Sequence, residues 1–187
     1  DLHAQAVVLA HDHLDPAPGV AVLDLYCGIG STLRRWTEGG ASGLGIELAG
    51  GAVDCARINA PGAVVLRGTC EQRLPQVRQW WHGGTPSRLA CYVNPPRSGL
   101  EPALLEALAR DLCPDRIAYL SCSAGTLARD LAGFEAAGYK VRSIVPFDFF
   151  PGTHHVECLA LLTLGRSLDA GQPALDGGGL PRERVPA

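Results

Sequence analysis

Along the chain, short unbroken apolar runs take turns with longer stretches in which apolar residues recur every third or fourth position. The runs predict strands buried on both faces, and the recurring pattern predicts helices with one buried stripe. Residues 1–14 carry Leu2, Ala6, Leu9, Ala10 and Leu14 at helical spacing, with His3, His11 and His13 expected on a solvated face. After the D-P-A-P-G turn (15–19), residues 20–33 read as an apolar strand, a glycine loop at Gly28 and Gly30, and a helix beginning near Ser31. Strands follow at 42–48, 63–67 and 89–93, separated by a helix that Pro61-Gly62 closes and a helix over 71–81. Residues 101–112 form an amphipathic pattern with Leu104, Leu105, Leu108 and Leu112 on one face. A strand at 117–120, a helix over about 125–137, and strands at 139–147 and 156–164 complete the pattern. Residues 165–187, rich in Gly and Pro without periodicity, are expected to be a disordered tail. Strand and helix alternate until the last two strands, so the expected fold is α/β, a mostly parallel sheet ending in an antiparallel hairpin.

Composition narrows the classes. A net charge of −3, with Lys140 the single lysine, leaves no basic footprint for nucleic acid within these residues. No run approaches the length of a membrane helix, and the amino end lacks a signal-peptide pattern. The chain opens on Asp1 and contains no Met, from which a portion of a longer protein is expected. Seven scattered cysteines without a C-x-x-C pair argue against a disulfide framework or a zinc site and suit a reducing cytoplasm.

Chemistry concentrates where predicted strands end. The G-x-G loop lets backbone amides and a helix amino terminus approach a cofactor, but Leu33 stands where a nicotinamide fingerprint wants a third glycine. Glu47, at the tip of the second strand, stands where a carboxylate would accept both hydroxyls of a ribose. The strand 89–93 runs into N-P-P-R-S-G-L (94–100), whose two prolines fix an extended path with few free donors. Cys122 follows the strand 117–120 immediately ahead of a helix, where a thiol is better placed for chemistry than for packing. The stretch F-D-F-F-P-G-T-H-H-V-E (147–157) brings His155 and Glu157 to the start of the last strand.

Taken together, D-L-Y-C-G-I-G (24–30), N-P-P-R-S-G-L (94–100), S-C-S-A-G-T-L-A-R-D (121–130) and F-P-G-T-H-H-V-E (150–157) resemble the RNA 5-methyluridine methyltransferases, over about residues 1–164. The resemblance implies a Rossmann-like S-adenosylmethionine-dependent methyltransferase fold and an RNA substrate, tRNA or rRNA, methylated at carbon 5 of a uridine. It implies Cys122 as nucleophile and Glu157 as base. It also implies Asp24, Tyr26, Gly28, Gly30, Glu47 and Asn94 around the cofactor, with Asn94, Arg97 and His155 toward the substrate, and no metal. Asn94 stands where the family usually has Asp; its amide can pair with uracil and can equally rotate to suit cytosine. The family's upstream RNA-binding β-barrel and its F-x-Q-x-N segment have no counterpart in these residues, so an isolated catalytic domain is expected, with the RNA-binding region outside it. Two other readings compete: an amino-directed methyltransferase, which N-P-P also suits, and a binding module that keeps the cofactor fold without catalysis.

Overall fold

The computed structural model describes residues 2–153 and 156–165. Seven strands form one sheet in the order β3-β2-β1-β4-β5-β7-β6. They are β1 (Val20–Leu25), β2 (Ser42–Glu47), β3 (Val64–Arg67), β4 (Arg88–Val93), β5 (Arg116–Ser121), β6 (Tyr139–Phe147) and β7 (Glu157–Leu164). The first five run parallel, and β7 pairs antiparallel with both β5 and β6. The expected hairpin is therefore present, with its second strand inserted against the parallel sheet and its first at the edge.

Six helices cover the two faces: α1 (Leu2–Leu14), α2 (Ser31–Glu38), α3 (Gly50–Asn59), α4 (Cys70–Gly83), α5 (Pro102–Glu106) and α6 (Ala124–Ala136). Strand residues alternate between two cores. Leu23, Leu25, Cys91, Val93 and Tyr119 pack with α4, α5 and α6. Val22, Tyr92, Leu120, Leu159 and Phe147 pack with α1, α2 and α3 around Leu33 and Trp36. Strands β1, β4 and β5 are buried at nearly every position, as the unbroken apolar runs require.

Two expectations change. The amphipathic segment 101–112 is a short α-helix continuing as a π-helical segment, Ala107–Leu112, closed by Cys113 N–H donating to Leu108 O at 3.1 Å. The wider turn buries three consecutive residues, Ala107, Leu108 and Ala109, while Leu105 is only half-buried. Small side chains at 107 and 109 let this backbone lie close to the sheet. The histidines of α1 do not share a solvated face: His11 stacks on Trp36 and His13 Nε2 bonds Leu162 O at 2.9 Å, while His3 is exposed. Burial lowers the pKa of His13, favouring the neutral ring that this contact uses. The tail expected beyond residue 165 lies outside the described residues.

Candidate active site

Strand order reverses between β1 and β4, which makes the carboxyl edge there the switch point whose crevice holds ligands in sheets of this kind. On the β1 side stands the glycine loop. Gly30, at φ 79°, caps α2, and a Cβ there would come within 2.9 Å of the Ala56 Cα, so only glycine lets α2 and α3 approach. A Cβ on Gly28 would meet nothing within 4 Å, so the loop faces open space on that side. Glu47 fastens the loop to β2: its Oε2 accepts from Gly28 N at 3.0 Å and its Oε1 from Ala49 N at 2.8 Å. Each oxygen keeps a lone pair for a further donor. Two exposed apolar side chains, Ile29 (53%) and Leu48 (62%), belong to the same two loops.

Asp24 and Tyr26, expected among the cofactor residues, stand differently. Asp24 has no exposed surface; its Oδ2 accepts from Trp36 Nε1 at 2.8 Å, and its Oδ1 has no partner within hydrogen-bond distance among the described residues. Its carboxylate thus supports α2 from beneath through Oδ2. Burial raises its pKa to about 7, against the relief that Thr32 and Trp36 provide. Tyr26 adopts φ 60°, uncommon for an aromatic residue, and its hydroxyl donates to Glu101 Oε2. The glycine loop is thereby tied to the end of the 94–100 loop by a residue the sequence reading did not single out.

On the β4 side, Asn94 is exposed at the strand end, and its N–H donates to Leu25 O at 3.3 Å across the crevice. Arg97 is also exposed; its carbonyl accepts from Thr126 Oγ1 at 3.2 Å. Gly99 sits at φ 74°, where a Cβ would lie 2.6 Å from Asp130 Oδ2. The cause is a clamp. Asp130, fully buried on α6, accepts from Leu100 N at 2.9 Å and Tyr119 Oη at 2.7 Å, and pairs with Arg129 at 2.7 Å. Arg129 in turn donates to Ser98 O and Leu100 O. The loop 94–100 and the turn carrying Cys122 are thus held by one helix. Sequence reading quoted these residues without assigning them; adjacent opposite charges on an otherwise apolar helix face were the available signal.

Cys122 follows β5 directly, half-buried, ahead of α6, whose N-cap Ser123 makes no side-chain capping bond. Burial makes inert thiols of Cys27, Cys70 and Cys91, with Cys70 pushed up to about 12. Ser121 pairs with Cys158 at the end of the β5–β7 ladder, so Cys122, just past β5, and Glu157, the first residue of β7, stand at the same end of that strand pair. Within β7, Glu157 lies two residues from Leu159, a member of the α1-side core. Glu157 also contributes to raising the pKa of Tyr92, after burial and Asp24. The nucleophile, base and Asn94 candidates therefore stand at one edge of the sheet. His155 lies outside the described residues. Among the described residues no group of three His, Cys, Asp or Glu side chains could hold a metal, and no helix is long and apolar enough to cross a membrane.

A crevice at the switch point of such a sheet, closed by an antiparallel hairpin, defines the Rossmann-like methyltransferase class. The chain superposes on a Geobacter metallireducens precorrin-6y C5,15-methyltransferase with TM-score 0.65 at 13% identity, covering 85% of this chain and 87% of that one, which speaks to fold alone. It also superposes on Pyrococcus abyssi tRNA (uracil-54, C5)-methyltransferase, solved with S-adenosyl-L-homocysteine, with TM-score 0.66 at 29% identity, covering 85% of this chain and 38% of that one. Residues 88–164 match the family model described as tRNA (Uracil-5-)-methyltransferase. Proteins named "Uncharacterized RNA methyltransferase" are similar too. One from Clostridium tetani is 35% identical over 159 residues, 82% of this chain and 34% of its own length. One from Bacillus cereus is 38% identical over 148 residues, 76% of this chain and 31% of its own length. The chain is thus similar to the tRNA (uracil-5-)-methyltransferase family over its second half, and it spans about a third of the length of these curated relatives.

Proposed function

We propose that this chain carries the catalytic domain, residues 1–164, of a cytoplasmic enzyme that methylates carbon 5 of a uridine in tRNA or rRNA. The observation that carries the reading is that Asn94 and Cys122 follow the carboxyl ends of β4 and β5 while Glu157 opens the antiparallel β7, so all three stand at the sheet edge that carries the glycine loop. Amino-directed methylation would leave both Cys122 and Glu157 without a task.

The crevice suits S-adenosylmethionine. Gly28 leaves room for close approach, the Glu47 oxygens retain lone pairs for a ribose diol, and exposed Ile29 and Leu48 offer apolar cover for an adenine. Bound there, the cofactor supplies an electrophilic methyl group. Carbon 5 of uracil is too weak a nucleophile to take it unaided. The Cys122 thiolate forms a bond to carbon 6, and the displaced π-electrons create an enolate whose carbon 5 attacks the methyl. Cys122 precedes the first residue of α6 by two positions. Glu157 then removes the carbon-5 proton; the ring double bond re-forms, the S–C6 bond breaks and Cys122 leaves as thiolate. The target base must be single-stranded or flipped out for carbon 6 to be reached.

5-Fluorouridine RNA tests this reading, because Glu157 cannot remove fluorine from carbon 5 as it would a proton. With S-adenosylmethionine and fluorinated tRNA and rRNA transcripts, the chain should form a conjugate that survives denaturing electrophoresis. One event per molecule suffices, so slow turnover is no obstacle. No conjugate with any transcript, from protein shown by titration to bind the cofactor, would reject the covalent mechanism.

A further inference from the structure

On the α1 side of the sheet, the segment leading into Glu157 carries aromatic side chains that neither cofactor binding nor the transfer chemistry uses. Phe149 is half-buried, packed edge-on against the His3 ring at 5.8 Å and tilted on Phe147 at 5.5 Å. Phe150 follows it, 52% exposed. With Leu2, Pro151 and Asp148 these rings line a concavity of about 400 Å³. His3 also lines a second concavity, of about 290 Å³, between α1 and α2, flanked by Ser31, Arg34 and Arg35. Arg34 is engaged by Glu38 at 2.6 Å, whereas Arg35 is exposed.

We infer that these two adjoining concavities form a subsite for the RNA nucleotide next to the target uridine, with its base on Phe149 and Phe150 and its phosphate toward Arg35. The inference rests on the RNA-methylation reading and extends it to a residue-level contact with the strand. Three observations favour this occupant. The platform adjoins the proposed base, because Phe147 pairs with Glu157 and Phe149 is two residues further on. Its aromatic ring is held in place by His3 and Phe147, so stacking a base costs little ordering, and any base presents a π-face. Charge divides the subsite in the sense a nucleotide needs. Asp148 repels phosphate from the aromatic half and accepts from base N–H groups, while Arg35 attracts phosphate to the other half.

Single-stranded RNA oligonucleotides carrying 5-iodouridine, photolysed with the 187-residue chain and mapped by mass spectrometry, test the assignment. Crosslinks are expected on His3, Phe149 or Phe150. Phe150→Ala should weaken RNA binding about 5- to 100-fold, the usual scale for one lost base stack, and Phe150→Trp should retain it. An abasic ribose beside the target should make wild type and Phe150→Ala equal. S-adenosylmethionine affinity should be unchanged in both variants. Crosslinks confined elsewhere, equal RNA affinity of Phe150→Ala and wild type, or no RNA binding by wild type would overturn the subsite. A chain that binds RNA through Phe150 but not S-adenosylmethionine would retain the subsite and reject the methyltransferase reading.

Discussion

At the scale of single residues, the structure separates side chains that meet ligand from side chains that shape the loop beneath it. Glu47 does both, since its oxygens hold Gly28 and Ala49 while keeping lone pairs toward the crevice. Glu47→Ala should weaken S-adenosylmethionine binding by about 1–3 kcal/mol, the scale of hydrogen bonds to a charged group, as read by isothermal titration. Cys122 and Glu157 divide the chemistry differently. Cys122→Ala should abolish both RNA conjugate and methylation. Glu157→Gln should permit addition and methyl transfer but stall before elimination, so the conjugate accumulates on unmodified RNA; normal turnover by either variant would refute the assignment. Asp24 carries a pH signature. Its pKa rises from 3.8 to about 7 on folding, so the folded chain takes up a proton that the unfolded chain releases. Its contribution to stability is full below the unfolded value, declines as pH rises from about 4 to about 7, and is then lost. Asp24→Asn cannot ionise, so urea denaturation should show the variant gaining on wild type between pH 5 and pH 8. A constant difference across that range would remove Asp24 as the cause.

At the scale of elements, α6 is the part that organises the site. Asp130, Arg129 and Thr126 grip the 94–100 loop while the helix amino terminus carries Cys122. Asp130→Ala would leave Leu100 N–H and the Tyr119 hydroxyl without their acceptor in a buried setting. The expected cost is about 2–4 kcal/mol, since each unsatisfied buried donor costs about 1–3. Chemical denaturation checks the cost, and limited proteolysis at 97–98 should accelerate more than elsewhere. The motifs N-P-P-R-S-G-L and S-C-S-A-G-T-L-A-R-D were legible as separate stretches. Their interlock was not, because a side chain's partner some thirty residues away leaves no periodic trace in sequence. The π-helical segment Ala107–Leu112 escaped for a related reason: its apolar spacing resembles that of an α-helix, and packing against the sheet selects the wider turn.

At the scale of the molecule, the chain spans about a third of the curated relatives' length and carries a net charge of −3. Phosphate neutralisation supplies most affinity for RNA, so a near-neutral domain should hold RNA weakly. These 187 residues are expected to fold and bind cofactor, yet to methylate RNA feebly and with a shallow dependence on salt. Rapid multiple turnover on a short RNA, measured by transfer of labelled methyl, would contradict this expectation.

Sequence alone determined the alternation of strands and helices, the closing hairpin, and the positions of Gly28, Gly30, Asn94 and Cys122 at strand ends. Those are consequences of local periodicity and turn chemistry, which neighbours in the chain encode. Tertiary structure decided what depends on distant partners. It inserted β7 between β5 and β6, and by that pairing brought Glu157 to the sheet edge that carries Cys122 although 35 residues separate them. It buried Asp24, because the sheet face that buries Tyr92 and Leu120 also covers that carboxylate with Trp36. It also turned His13 from solvent to the Leu162 carbonyl, a contact that exists only once α1 lies across the sheet.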